Sequence, residues 1–311
     1  MGTTGAVPRH PVRGWGRSVG MNRLVQAVFA SGFFWSAAAF AEVDDIKFRL
    51  TADATYDDNV SRARKDDKLA DSFATLNLGA SLPWDLTQRT RLMLNANLGA
   101  EKFERYKGLD RAFANYQAEL QYRRSGQFDA PIWGLFVRQG VDRYKSELRD
   151  GYRTSAGFSV RKPATDRIFL FGALAYNLRD GRSKVFDTKE IGLRGNLDYS
   201  LTRRQTLYLG LEARDGDIVS TSRSSLKYLD IADALIQDDV FTDTARISYR
   251  FKAYTGIATL GYNFAFGERA ALDIAYRAVY SQPQKQPPAG VSSDTIYYVD
   301  NQMTISFLVR F

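Results

Sequence analysis

The sequence predicts an all-β protein, a closed transmembrane antiparallel β-barrel of about 12 strands with short turns at one end and longer loops at the other. Three observations carry this. Apolar and polar residues alternate with period two over stretches of about ten residues, the length a tilted strand needs to cross a bilayer. No run after Ala41 is long and apolar enough for a membrane-spanning helix. The connections between the stretches alternate between short and long.

Residues 1–41 read as a signal peptide, leaving 42–311 as the barrel domain. Arg9, Arg13, Arg17 and Arg23 are basic, Leu24–Phe40 is apolar or small, and Ala39-Phe40-Ala41 is an A-x-A cleavage site before Glu42, the first acid. Met21 offers an alternative start, since Met21-Asn22-Arg23 already supplies a basic region. Small residues crowd the end of the run, which favours cleavage over a retained anchor. The chain has no Cys, so neither a lipid anchor on Cys nor a disulfide is available. Cleavage would remove four of the 43 basic residues and none of the 35 acids, leaving a net charge of +4. Both signs are interspersed, so no nucleic-acid partner is expected.

The elements follow in order. Ile46, Phe48, Leu50, Ala52, Ala54 and Tyr56 share one face of the first strand, and Lys47, Arg49, Thr51, Asp53 and Thr55 the other. Leu76 to Trp84, Leu92 to Ala100 and Ala114 to Tyr122 repeat the pattern, followed by strands near 131–143 and 152–162. The stretch near 167–179 is apolar on both faces and leaves its register open. Ile191 to Leu201 and Leu207 to Ala213 alternate again, and the last three strands lie near 245–265, 270–281 and 295–311. Short turns are predicted near 84–89, 124–130, 162–166, 201–205 and 265–269. Longer loops are predicted near 57–71, 103–111, 144–151, 180–188, 215–243 and 282–294. Pro83, Pro131 and Pro163 are expected at strand ends. Trp84, Tyr122, Trp133 and Tyr199 fall near the short turns, and Tyr56, Tyr280 and Tyr297 near the long loops, where interfacial girdles would sit.

A soluble sandwich would have to cover the continuous oily face, and no core helix is evident to do so. In lipid that face needs no cover, and closure satisfies every backbone group. The final strand has apolar residues at Met303, Ile305, Phe307, Val309 and Phe311 and ends on an aromatic ring. It resembles the C-terminal strand of Gram-negative outer-membrane β-barrels. The resemblance implies that Phe307, Val309 and Phe311 form a signal read by the barrel-assembly machinery. It also implies outer-membrane lipid as the surroundings, short turns in the periplasm and longer loops outside the cell. Met303–Val309 is expected to close against Ile46–Tyr56.

With the apolar face toward lipid, the charged face turns inward. Arg49, Arg91, Arg138, Arg194, Arg214 and Arg277 are the basic candidates for the lining, and Asp53, Glu101, Glu190, Asp198, Glu212 and Asp273 the acidic ones. Such charges would cost a few kcal/mol each on the lipid side at mid-depth. Two arrangements compete: arginines paired with carboxylates in a filled interior, or a water-filled passage whose unpaired arginines draw small anionic solutes. The lining is similar to that of the oligogalacturonate-specific porin family, narrow barrels whose arginines pass acidic sugars. A non-conducting barrel serving a secretion, polysaccharide-export or electron-transfer complex, or binding at the surface, is the alternative.

Catalysis is not expected. Barrel enzymes such as omptin proteases, phospholipase A, lipid A deacylase and palmitoyltransferase rely on an active-site His, and the only His is His10, upstream of the cleavage site. The same absence argues against a His or Cys metal centre, and no cofactor is expected. Tyr56-Asp57-Asp58-Asn59-Val60 resembles the first hairpin of several bacterial outer-membrane barrel families, some of them membrane domains of secretion or surface-assembly modifiers. Its Asp residues read as a solvated turn or as oxygen ligands for Ca²⁺. In 215–243, Ser224-Ser225 is expected to cap a short helix carrying Leu226, Leu229, Ala232 and Ile236.

Overall fold

The computed structural model describes residues 46–223, 231–241, 246–285 and 298–311, together with the backbone of Glu42–Val43. Residues 1–41, Tyr297, and Ser224, Ser225, Leu226 and Leu229 of the expected helix lie outside the described residues. Twelve long strands follow one another. They are β1 (Lys47–Asp57), β2 (Asp71–Thr87), β3 (Thr90–Phe103), β4 (Arg111–Arg123), β5 (Ile132–Tyr144), β6 (Gly151–Pro163), β7 (Ile168–Gly181), β8 (Thr188–Thr202), β9 (Gln205–Arg223), β10 (Arg246–Ala265), β11 (Ala270–Pro283) and β12 (Tyr298–Arg310). Each pairs antiparallel with the next, and β12 pairs with β1 from Gln302↔Asp57 to Arg310↔Arg49. The sheet is therefore closed and has no free edge along its span. No helix among the described residues is long and apolar enough to cross a membrane, so any crossing is made by strands.

Period two turns one residue of each pair outward. Leu76, Leu98, Leu135, Leu193 and Leu260 are each more than half exposed, and similar side chains encircle the outside. The area is far larger than water-facing proteins leave open, which identifies it as the lipid belt. At the closing seam, Phe48 N–H donates to Phe311 O at 2.9 Å and Phe311 N–H donates to Phe48 O at 3.1 Å. Their rings stack at 6.0 Å between centroids. The expected pairing of the last strand with the first is therefore present.

The structure resolves or corrects four expectations. The register of β7 is set with Leu170, Leu174, Tyr176 and Leu178 outward and Phe171, Ala173, Ala175 and Asn177 inward. Its inner face is apolar only from Phe171 to Ala175, and Phe171 lies under the Arg161 guanidinium, 5.3 Å from the ring centre. Residues 215–223 are not loop. They continue β9, pairing with β10 as far as Arg223↔Arg246, while β8 stops opposite Gly216. At Gly216 φ is +152°, and a Cβ would lie 2.3 Å from Lys189 O, so only glycine lets β9 part from β8 there. Ile236 is not helical. It belongs to a short strand, Ala234–Gln237, that pairs with Arg250–Ile247 of β10, beyond the point where β11 ends. The outer part of β10 has one edge without a neighbour, and this strand satisfies it. Finally, Pro83 lies inside β2. On the β1 side the register ends at Lys47↔Ser81 and resumes only with Val43↔Trp84 and Glu42↔Asp85, so no residue is in register with Pro83 at that edge.

Candidate functional site

The interior holds a cavity of about 790 Å³ bordered by ten arginines and seven carboxylates, an excess of positive charge. Of the predicted residues, Glu101, Arg138, Glu190, Arg194, Glu212, Arg214 and Arg277 border it. A second space of about 320 Å³ adjoins Arg194, Glu212, Arg214 and Arg277.

The lining divides into two kinds. In the first, charges pair across neighbouring strands. Arg111 bonds Glu101, and Arg111 and Arg153 share Asp142, whose side chain is fully buried, at 3.3 and 2.8 Å. Arg161 bonds Glu119 at 2.5 Å, and Arg214 lies 2.6 Å from Glu212 and 3.4 Å from Glu190. In the second kind, arginines are held by amides. Arg138 donates to Gln117 Oε1 at 2.6 and 2.9 Å, Arg194 to Asn196 Oδ1 at 2.9 Å, and Arg277 to Gln302 Oε1 at 3.1 Å. None of these three has a carboxylate within ion-pair distance among the described residues. An amide oxygen orients a guanidinium without neutralising it, so each keeps its charge and part of its donor fork available.

The remaining predicted residues are elsewhere on the inner wall. Arg91 donates to Asp85 Oδ2 at 2.7 Å near the 88–89 turn, and Arg49 approaches Gly79 at the same end. Asp53 is in register with Thr75 and Ser306, and Asp198 with Tyr208. Asp273 accepts from Tyr208 Oη at 2.8 Å and Asn263 Nδ2 at 3.3 Å. These line the short-turn end outside the main cavity. Phe307 and Phe311 are exposed on the outer face and Val309 is half-buried, consistent with an outward row.

The long-loop end is crossed by residues 238–241. Asp238 accepts from Arg149 Nη1 at 3.1 Å and Nη2 at 2.5 Å, from Thr221 Oγ1 at 3.1 Å, from Ser248, and from Val240 N–H at 2.9 Å. Burial pushes its pKa up, but Arg149 and these donors outweigh burial and hold the carboxyl below its ordinary value. Val240 and Phe241 pack on Phe103 and Leu109, and the Phe241 ring meets Tyr106 edge-on at 4.9 Å. The segment thus starts at the β9–β10 hairpin and is anchored on the 104–110 and 145–150 loops, from the far side of the barrel. Loop 58–70 also leans in: Thr221 N–H donates to Ser61 O at 2.8 Å and Arg246 Nη2 to Asp67 Oδ1 at 3.0 Å. Sequence reasoning missed Arg111, Arg149 and Asp238. Arg111 shared the alternation of β4 and could have been found. Arg149 and Asp238 are brought together only by the closed fold.

The Asp57–Asn59 motif builds the rim. Asn59 is fully buried and ties Ala63 N–H, Ala63 O and Val299 O at 2.9, 2.7 and 3.0 Å. Asp58 takes both Asn301 N–H and its amide, and Lys68 Nζ at 3.0 Å. Burial raises the Asp58 pKa, but these partners lower it more, to below its ordinary value. Oxygens of Asp57, Asp58 and Asp300 lie within 4.8 Å of one another and are the group of described side chains suited to a hard cation.

No protein-family profile and no curated protein matches the sequence. Among solved structures, the chain is similar to an outer membrane channel from Pseudomonas putida F1, with a TM-score of 0.51 at 10% identity over 89% of this chain and 99% of that one. It is also similar to the NanC porin (TM-score 0.46, 11% identity, 84% of this chain and 98% of that one) and to the KdgM porin (TM-score 0.40, 12% identity, 84% and 99%). The closed ring of twelve strands, the oily outer belt and the likeness to the Pseudomonas protein together show a transmembrane β-barrel whose fold is similar to that of an outer membrane channel.

Proposed function

We propose that the protein is an outer-membrane channel for small polar or anionic solutes, exported as residues 42–311 after removal of the signal peptide. The barrel-assembly machinery would recognise its last strand. One observation carries the reading: Arg138, Arg194 and Arg277 are held by amide oxygens with no described carboxylate at ion-pair distance, in a space bordered by ten arginines and seven carboxylates, which leaves it net positive where a solute would pass. The test is conductance of the purified barrel in planar bilayers under a salt gradient. Steady channels with an anion-biased reversal potential support the proposal. No conductance at any voltage, in the native chain and in one lacking 231–241, overturns it.

A second reading, a non-conducting barrel that binds a partner at its outer mouth, is favoured by the segment 238–241 fastened across the interior. It requires that removing this segment leave the bilayer silent.

A further inference from the structure

At the outer end of the seam between β12 and β1, two buried carboxylates meet. Asp57 ends β1 in register with Gln302, and Asp300 stands two residues from Gln302 on the same face of β12. Asp57 is 6% exposed and Asp300 4%. Their carboxyl groups are at hydrogen-bonding distance of each other, although an ionised carboxylate can only accept. Gln302 Nε2 donates to Asp57 Oδ2 at 2.9 Å and to Asp300 Oδ2 at 3.1 Å, so one neutral amide serves two acids. Asp300 Oδ1 is buried in this group and takes no hydrogen bond among the described residues. Other buried carboxylates of the lining meet a guanidinium: Glu101 meets Arg111, Glu119 Arg161, Asp142 Arg153 and Asp238 Arg149. Asp57 and Asp300 have no Lys or Arg within ion-pair distance among the described residues. Arg62 and Arg277 act on Asp300 only from beyond it. Like charges buried side by side need a cation between them or a proton shared by them. A proton bridges two oxygens. Here an oxygen of Asp58 also lies within 4.8 Å of oxygens of both acids, so three carboxylates converge.

We propose that Asp57, Asp58 and Asp300 hold a hard divalent cation, Ca²⁺ in preference to Mg²⁺. The three acids face one ion-paired base, Lys68 on Asp58, which leaves two negative charges for a divalent ion. Ca²⁺ takes about six to eight oxygens in an irregular shell. Asp57 and Asp300 border the cavity, whose water completes that shell. Mg²⁺ demands a near-regular octahedron and gives up its own water reluctantly, which three side chains at the edge of a cavity serve less well. The ion clips loop 58–70 to the seam, because Asp58 binds Asn301 of β12 and Asp57 accepts from Asn59 N–H at 2.7 Å. The proposal stands apart from the channel reading.

The test uses the full barrel, refolded in detergent free of lipopolysaccharide and stripped with EDTA. CaCl₂ is titrated in by isothermal calorimetry, with MgCl₂ in parallel. One Ca²⁺ per chain is expected, with a dissociation constant of about 10⁻⁴–10⁻³ M, the range of extracellular modules, and Mg²⁺ roughly tenfold weaker or worse. At about 10 mM Ca²⁺ the thermal midpoint followed by circular dichroism should rise by several degrees. Asp57→Asn/Asp300→Asn keeps the shape and removes the charges. It should lose both the heat of binding and the thermal shift, yet fold at least as well as the stripped native chain. Asp58→Asn leaves the buried pair intact and should weaken Ca²⁺ by roughly tenfold. Asp66→Asn, exposed in the same loop, should change nothing. No saturable Ca²⁺ binding by the native chain overturns the proposal and leaves a shared proton between Asp57 and Asp300. Binding that persists in the double variant, is unchanged in Asp58→Asn, or is lost in Asp66→Asn also overturns it.

Discussion

Arg149 and Asp238 form a bidentate ion pair, with Nη2 2.5 Å from Oδ2 and both side chains buried. It joins the 145–150 loop to the inserted segment, and Phe186 stacks 4.7 Å from the guanidinium. Removing one partner leaves an uncompensated buried charge, a loss of about 3–5 kcal/mol. Arg149→Ala is therefore expected to release 238–241, seen as new proteolytic cleavage there and a larger single-channel conductance. Unchanged cleavage and conductance would show that Val240 and Phe241 hold the segment alone.

The same pair sets an expected pH response. The Asp238 pKa is depressed in the folded state. Its contribution is thus fully present above the unfolded carboxylate value of about 3.9 and is lost as pH falls through the lower folded value. Conductance should stay flat from about pH 8 to pH 5 and rise only in strongly acidic solution. Opening near pH 6 would place control in another group.

Arg138→Gln/Arg194→Gln/Arg277→Gln removes the charges that no described carboxylate neutralises. A unit charge at contact distance in a water-like medium contributes about 1 kcal/mol. The anion-to-cation permeability ratio, read from reversal potentials, should fall roughly tenfold or more. In the native barrel the same ratio should weaken toward 1 M salt, where the screening length is about 3 Å.

Gly216→Ala forces a Cβ against Lys189 O in a backbone region unsuited to other residues. The expected cost is about 1–3 kcal/mol. It should lower the temperature at which the compact gel band converts to the unfolded one.

Asn59→Ala orphans the Ala63 and Val299 backbone groups that Asn59 binds. A loss of about 1–3 kcal/mol per orphaned buried group is expected. It would appear as faster proteolysis within 58–70 with the barrel intact.

The strands were legible because a two-sided sheet between lipid and an interior writes its environment into every second residue. Leu193 to Leu201 against Arg194, Asn196 and Asp198 needs no further context. β7 escaped that logic because Phe171 packs under an arginine of the neighbouring strand, a contact between residues ten apart across a turn. The 215–223 extension was missed because, beyond the lipid belt, Asp217 and Ile218 and then Ser220, Thr221 and Ser222 are buried on successive residues and alternation fades. Alternation alone turns the charged face inward, but which arginines stay unneutralised depends on cross-strand register. Sequence order places Arg214 two residues from Glu212, yet gives no hint that Arg277 meets Gln302.

The seam between Phe48 and Phe311 also orders events in time. β1 emerges first and its final neighbour last, so one edge of the sheet stays open throughout synthesis. Every intermediate length carries unpaired N–H and C=O groups that would recruit other strands. The barrel can seal only after the whole chain has been made, which makes chaperoning before insertion, and not strand-by-strand insertion during synthesis, the route compatible with this topology.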